Sequence, residues 1–383
     1  MKVVVAIDSF KGSLSSMEGG NAAKSGIMKV CDAEVVVKPL ADGGEGTMEA
    51  LIGGLGGEYI EIEVTGPLGK KTCARYGILK DKRTAVIEMA EAAGIMLLKQ
   101  DELDPYRATT YGVGEMILDA MNHGCRDFII GIGGSATTEG GIGMLQALGY
   151  EITDAKGTAI RAGIQDLDKI MFINGENLPK ELSECHFQIA CDVKNPLYGE
   201  NGAVYVYGAQ KGVKEEEKQL LDKKMVYFAE QTKRFTGKDY RFAEGAGAAG
   251  GLGFAFLSYL PNVSLRPGID IVLDAIQLEE EVKNADIVIT GEGRMDSQTA
   301  MGKVPVGVAR LAKKYQAKVI AVAGGVTEDA CECNAVGIDA FFPIVRGITT
   351  LAEAMAPENA KKNMELSVEQ IFRLIKEVCV WNT

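Results

Sequence analysis

The sequence predicts an α/β protein with mostly parallel sheets, divided into two domains. Three observations predict it. Apolar runs of strand length alternate with stretches whose apolar residues recur at helical spacing, the pattern of layered βα units. The chain has 383 residues, more than one ordinary hydrophobic core serves. Segments rich in Gly, Asp, Ser and Thr follow the apolar runs directly, at the strand ends where open α/β sheets bind ligands.

The elements follow in order. Val3–Ile7 is continuous, β-branched and stopped by Asp8; it reads as a buried strand and is too short for the apolar region of a signal peptide. Glu34–Val37, Ala85–Met89, Phe128–Ile132, Phe187–Cys191, Ile287–Thr290 and Val319–Ala323 read the same way, flanked by Gly, Pro or Asp. Several are apolar throughout, as strands covered on both faces are. Thr110–Asn122 and Gly302–Tyr315 carry the helical period. Residues 214–238 form a charged helical pattern that reads as a solvated face, and Leu366–Val378 reads as an amphipathic packing helix. The stretch Gly53–Gly57 precedes the strand-like YIEIEV, and Thr65-Gly66-Pro67-Leu68-Gly69 is a strong turn signal. Both chain ends are βα units of similar character, which lets them share one sheet around an inserted middle. There is no repeat at solenoid period.

Composition removes several function classes. Hydrophobic residues at 46% and charged residues at 25% belong to a globular chain and not a disordered one. A net charge of −12 argues against nucleic acid or an anionic membrane as partner, since both call for basic patches. It does not argue against a phosphate ligand, which needs only local N–H groups, a lysine and a metal. Nothing approaches a membrane span. Cys31, Cys73, Cys125, Cys185, Cys191, Cys331, Cys333 and Cys379 are scattered without C-x-x-C spacing, as buried thiols of a reducing cytoplasm are. His123 and His186 are the only histidines, so zinc sites built on histidine are nearly excluded. His123 reads as a helix end before Gly124, His186 as a strand edge.

Six segments carry chemistry. Asp8–Ser15 (DSFKGSLS) leads from the first strand into a helix; Ser13 or Ser15 is placed to cap it, and Lys11 offers a cation beside helix N–H groups. Pro39–Thr47 (PLADGGEGT) sets Asp42 and Glu45 in a run that cannot pack a core, and Gly43, Gly44 and Gly46 let the backbone approach a ligand. Gly131–Gly141 (GIGGSATTEGG) offers bare N–H groups and the hydroxyls of Ser135, Thr137 and Thr138, a nest for an oxyanion. Cys191–Leu197 (CDVKNPL) ends a strand at Asp192, a carboxylate able to accept a hydroxyl proton or hold Mg²⁺. Glu244–Gly253 (EGAGAAGGLG) is so glycine-rich that it reads as a place of ligand approach. Gly291–Thr299 (GEGRMDSQT), continuing to GKVP, follows the strand IVIT and carries Arg294 and Asp296.

Known nucleotide signatures do not account for these segments. MGKVP lacks the Ser/Thr and first glycine of a Walker A loop, and no protein-kinase motif set is present. Gly131-x-Gly133-x-x-Ala136 and Gly245-x-Gly247-x-x-Gly250 match a dinucleotide fingerprint in letters. The first sits at mid-chain, the second follows no clear strand, and Glu151 and Asp154 do not clearly close a second strand. Carboxylates, glycine-rich anion cradles and lysines with almost no histidine suit phosphoryl transfer, where catalysis is positioning and charge neutralisation, better than hydride or acyl transfer.

Together DSFKGSLS, PLADGGEGT, GIGGSATTEGG, CDVKNPL, GAGAAGGLG and GEGRMDSQT…GKVPVGVA resemble the bacterial glycerate kinase family of the first type, from Met1 to about residue 346. Glu139 stands where that family usually has Asp, and Ala209 stands before Gln210-Lys211-Gly212 where Pro is usual. The resemblance implies a discontinuous Rossmann-like domain of residues 1–64 plus 286–383, an inserted α/β domain of residues 65–285, and an active site in the cleft between them. It implies ATP and Mg²⁺ as cofactors, D-glycerate as acceptor and 2-phosphoglycerate as product.

On the matched motifs Asp192 is the candidate general base. Asp42 and Asp296 are candidates to hold Mg²⁺ or orient substrate, and Lys11 to neutralise phosphate charge. Ser13, Gly133, Gly134, Ser135, Thr137, Thr138, Gly250 and Gly251 are candidates for the nucleotide, and Gly43, Gly44 and Asn195 for the acceptor. An arginine must clamp the glycerate carboxylate, because bidentate geometry suits Arg; Arg75, Arg266 and Arg294 are the candidates. The rival readings are a nicotinamide-dependent oxidoreductase on a small sugar acid and a non-catalytic sugar-acid-binding protein. A cytoplasmic enzyme without nucleic-acid or membrane partners is expected, with association into a homo-oligomer left open.

Overall fold

The computed structural model describes residues 1–380. Its strands are β1 (Lys2–Ile7), β2 (Glu34–Val37), β3 (Gly57–Thr65), β4 (Lys71–Leu79), β5 (Thr84–Glu88), β6 (Asp127–Gly131), β7 (Glu151–Thr153), β8 (Phe172–Asn174), β9 (His186–Ala190), β10 (Val263–Arg266), β11 (Ile287–Met295), β12 (Lys318–Val326) and β13 (Ala340–Pro343). Helices fill most connections, so the fold is α/β. By internal contacts the residues fall into two units. Met1–Asp42, Glu49–Gly56 and Ile269 onward form the first; Gly43–Met48 and Gly57–Gly268 form the second.

The first unit holds a wholly parallel sheet in the order β13-β12-β11-β1-β2. β1, β11 and β12 are its central strands and are buried on both faces, which is why they read as unbroken apolar runs. Strand order reverses between β1 and β11: β1 leads outward to β2, and β11 leads through β12 to β13 on the other side. The helices Ser16–Met28 and Pro357–Val380 pack on each other. Ser15, not Ser13, caps the first of them, in a reciprocal pair with Glu18.

The second unit holds a mixed sheet, β10-β9-β6-β5-β4-β3. β5, β6, β9 and β10 are parallel, and β4 and β3 extend the sheet antiparallel. Phe128 and Phe187 stack across β6 and β9 with ring centroids 4.9 Å apart. β7 and β8 form a separate antiparallel ribbon.

Three expectations need correction. Residues 57–64 belong with the second unit, because β3 pairs with β4 along its whole length, from Gly57 opposite Leu79 to Thr65 opposite Lys71. Residues 269–285 belong with the first, where Lys38 Nζ donates to the Ile276 carbonyl at 3.1 Å. The strand expected to stop at Thr290 continues to Met295, still paired with β12. Gly291 permits this: a Cβ there would fall 2.1 Å from the Val322 carbonyl oxygen. Among the described residues no helix is long and apolar enough to cross a membrane. The described cysteines are free thiols; the side chain of Cys379 lies outside the described residues.

Candidate active site

In the first unit, the carboxyl ends of β1, β11 and β12 border a cavity of 490 Å³. Asp8 follows β1 directly, its amide donating to the Gly291 carbonyl at 2.9 Å, and its carboxylate is buried at the cavity edge. A tight turn comes next, with Ser13 N donating to the Phe10 carbonyl at 2.7 Å and Gly12 at φ +74°. That turn brings Lys11 and Ser13 to the cavity. Lys11 Nζ lies 4.0 Å from Asp42 Oδ2. Ser13 Oγ is buried without a protein partner, a polar atom that calls for one.

Charge is concentrated here. Burial first, then the charge of Asp42, pushes the Asp8 carboxyl up to about 7. Burial likewise raises Glu292, which accepts from Thr299 Oγ1 at 2.6 Å. Lys11, Arg294 and Lys303 are the cations of the same cavity. Asp296 is placed differently. Its carboxylate caps the helix Ser297–Ala300, accepting from Gln298 N at 3.0 Å, and lies 3.6 Å from Arg294 Nε and 3.8 Å from Lys303 Nζ.

In the second unit, the carboxyl ends of β5, β6, β9 and β10 gather another set. Gly43 sits at φ +90°, where a Cβ would fall 2.5 Å from Gly268 Cα and 2.7 Å from Ala190 Cβ; glycine alone suits that place. Asp192, exposed just beyond β9, accepts from Gly268 N at 3.0 Å. Arg266 ends β10 half-buried, its carbonyl accepting from Cys191 N at 2.9 Å. Gly43, Asp192, Arg266 and Gly268 thus lie together at the adjoining carboxyl ends of β9 and β10. Beside them Gly133 and Gly134 are exposed, and Gly44 Cα lies 3.8 Å from where a Cβ on Gly133 would stand.

Residues 3–376 match the model of the glycerate kinase family. The chain belongs to that family. It is 45% identical to the glycerate kinase of Haemophilus influenzae over 376 residues, 98% of this chain and 99% of that one. It is 46% identical to the glycerate 2-kinase of Escherichia coli over 355 residues, 92% and 93% of the two chains. A solved structure from Salmonella typhimurium LT2, provisionally assigned as glycerate kinase 2, resembles it with a TM-score of 0.90 at 43% identity, covering 98% of each chain. Membership of the glycerate kinase family makes the chain an enzyme, a phosphotransferase.

Several residues expected to face ligand in a glycerate kinase do other things. Gly250 and Gly251 are buried, and a Cβ on them would fall 2.0 Å from the Thr137 carbonyl oxygen and 2.8 Å from Gly140 Cα. They support the Gly131–Gly141 loop from behind; close backbone packing demands glycine as much as ligand approach does. Thr137 and Thr138 are fully buried with unpartnered hydroxyls, and Ser135 is buried too, so Gly133 and Gly134 are the exposed part of that loop. Glu139 is buried, accepting from Thr110 N at 3.1 Å and Gly143 N at 3.0 Å, and burial pushes it up to about 7. It braces the loop.

Asn195 donates to the Asn201 carbonyl at 2.8 Å and accepts from the Tyr207 hydroxyl at 2.6 Å, bracing the turn after Asp192. Arg75 lies over the Tyr59 ring at 5.8 Å and 3.6 Å from Glu91. Neither dinucleotide fingerprint has its strand-turn-helix context: after Ala136 the next helix starts at Ile142, and no strand leads into Gly245.

Sequence reasoning missed Lys211. The residue is 2% exposed, and its ammonium donates to Ser135 Oγ at 2.6 Å and to the Thr137 carbonyl at 2.7 Å. Burial pulls it down to about 7. Nothing in the run Ala209-Gln210-Lys211-Gly212 marks it as buried. Asp8 and Glu292 carry no role in the sequence reading, yet a signal exists: Asp8 directly follows the apolar strand β1, and Glu292 stands two residues beyond the apolar run Ile287–Thr290 in β11.

Proposed function

We propose that the chain transfers the γ-phosphoryl group of ATP to D-glycerate, giving ADP and 2-phosphoglycerate, in the cytoplasm. The observation that carries this reading is the 45% identity, over 98% of the chain, to a relative named glycerate kinase. The position of transfer follows the relative named glycerate 2-kinase. The geometry supports the same chemistry. Asp192, held by Gly268 N at a strand end, is suited to accept the proton of the attacking hydroxyl. Arg266, at the neighbouring strand end beside Asp192, is the favoured clamp for the glycerate carboxylate. Gly43, Gly44, Gly133 and Gly134 would offer backbone N–H groups to anionic oxygens. Lys11 would offset phosphate charge.

The donor set of the first unit fits Mg²⁺. Burial and the charge of Asp42 push the Asp8 carboxyl up to about 7, a surplus of negative charge that a divalent cation relieves. Mg²⁺ is held by one or two carboxylates plus phosphate oxygens, not by an all-protein cage. Among the described residues no group of three His, Cys, Asp or Glu side chains forms such a cage. Asp42 and Asp8 would hold the ion. Asp296, occupied as a helix cap, would orient Arg294 and Lys303. When bound, Mg²⁺ supplies charge neutralisation at the phosphates.

The test is ADP release measured with ATP, Mg²⁺ and D-glycerate, run beside NADH absorbance. Release that requires both D-glycerate and Mg²⁺ is expected. NADH-dependent turnover of a sugar acid without ATP would overturn the reading.

A further inference from the structure

Lys211 is a buried cation that the phosphoryl-transfer reading leaves without a role. Its ammonium donates to Ser135 Oγ at 2.6 Å and to the Thr137 carbonyl at 2.7 Å. Both acceptors are neutral. Burial alone moves its pKa, and among the described residues no carboxylate pairs with it. Lys224, also buried in the second unit, is built differently: it pairs with Asp168 and donates to the Gln165 carbonyl at 2.8 Å. A buried charge without a counter-charge is costly, and a methionine would fill the same space without that cost.

Holding the Gly131–Gly141 loop does not require this lysine. The Gly134 carbonyl accepts from Ile95 N at 2.8 Å, and Ala136 N donates to the Ala93 carbonyl at 2.9 Å. The backbone on both sides of Ser135 is therefore pinned already. What Lys211 adds is its effect on the Ser135 side chain. A hydroxyl has one donor and two acceptor lone pairs, and an ammonium has donors only. Ser135 Oγ thus accepts from Lys211, and its own proton is left over; among the described residues no acceptor takes it. Ser135 directly follows Gly133 and Gly134, the exposed part of the loop.

We propose that Lys211 is a positioning residue of this anion cradle and acts through Ser135: it occupies the acceptor side of the hydroxyl and leaves the proton for an anionic oxygen held at Gly133 and Gly134. The ammonium also polarises that O–H, as chained hydrogen bonds do. The ligand's anion supplies the counter-charge that the fold omits, and it favours the charged form of a lysine that burial pulls down to about 7. The inference rests on the kinase reading and assigns a residue to it. The anionic oxygen belongs to a phosphate or to a carboxylate, which offer the hydroxyl the same acceptor.

Steady-state kinetics of the full chain with ATP, Mg²⁺ and D-glycerate test it. Lys211→Met keeps the bulk and removes the donors. Ser135→Ala removes the hydroxyl and leaves the pinned backbone. Each is expected to raise KM for one substrate about tenfold, the worth of a hydrogen bond to a charged group, with the other KM held. A rise for ATP assigns the cradle to phosphate, and a rise for D-glycerate assigns it to the carboxylate. The double variant should lose no more than the larger single loss, since both changes remove one contact. Lys224→Met is the control and should leave both KM values unchanged.

Unchanged KM for both substrates in Ser135→Ala overturns the role, even where Lys211→Met does not fold. Losses that multiply in the double variant also overturn it, as does an equal rise in Lys224→Met, the mark of a general loss of structure. Failure of the kinase reading looks different, because the wild type would then release no ADP. Calorimetric titration with ATP and with D-glycerate reads the cradle in that case. About tenfold weaker binding of one of them in both variants keeps the positioning role, and binding equal to that of the wild type overturns it.

Discussion

Lys211 and Asp192 show how much one side chain's surroundings decide. Lys211 is buried with two oxygen acceptors for its ammonium, and an ammonium has three donors. Burial favours the neutral amine, lowering its pKa from 10.5 to about 7. Between those values the unfolded chain binds the proton that the folded chain has released, so stability rises with pH across that window; below it the full cost of burying the charge applies. Lys211→Met removes this dependence. Urea midpoints at pH 7 and pH 10 should show the wild type gaining on the variant as pH rises; parallel midpoints would mean that the folded chain holds the proton as tightly as the unfolded chain does. Asp192, by contrast, is exposed and accepts from the Gly268 amide, and it is the proposed base. Asp192→Asn should lower kcat by about 10²–10⁴ with little change in KM for D-glycerate; a near-normal kcat would move the base role elsewhere.

At the scale of the element, glycine carries two different messages that look alike in the sequence. Gly133 and Gly134 are exposed on a loop, while Gly250 and Gly251 are buried against the same loop's backbone. Both runs read as ligand approach because the residue type is the same and only the neighbours differ. The strands were legible because central parallel strands are apolar on both faces: Val3–Ile7 and Val319–Ala323 lie inside β1 and β12. The end of β11 was not, because Gly291–Met295 is polar and glycine-rich yet stays in register with β12. Helix packing gives a sharper test. Gly26, in the helix Ser16–Met28, faces the helix Pro357–Val380 so closely that a Cβ would fall 2.3 Å from the Glu365 carbonyl oxygen. Gly26→Ala gains about 1 kcal/mol of helix propensity and loses about 1–3 kcal/mol to overpacking against backbone that cannot swing aside. A lowered Tm is expected; an unchanged or raised Tm would show that the two helices separate without cost.

Over the whole molecule, each unit gathers polar groups at the carboxyl ends of parallel strands, and five of the six sequence segments follow such a strand; Glu244–Gly253 does not. That placement was legible because strand, loop and helix follow one another along the chain. The boundaries between units were harder to read, since β3 looks like any strand until its partner β4 is known. Composition also spoke at this scale: two histidines and a net charge of −12 leave carboxylates, lysines and backbone N–H groups to do the chemistry, as phosphoryl transfer allows. The most direct measurement is ³¹P NMR of a reaction containing the full chain, ATP, Mg²⁺ and D-glycerate. Equal amounts of ADP and one phosphomonoester, its phosphorus coupled to the single proton at C2 of glycerate, are the predicted result. A spectrum in which ATP persists or yields only inorganic phosphate, or in which the ester phosphorus couples to the two protons at C3, would contradict it.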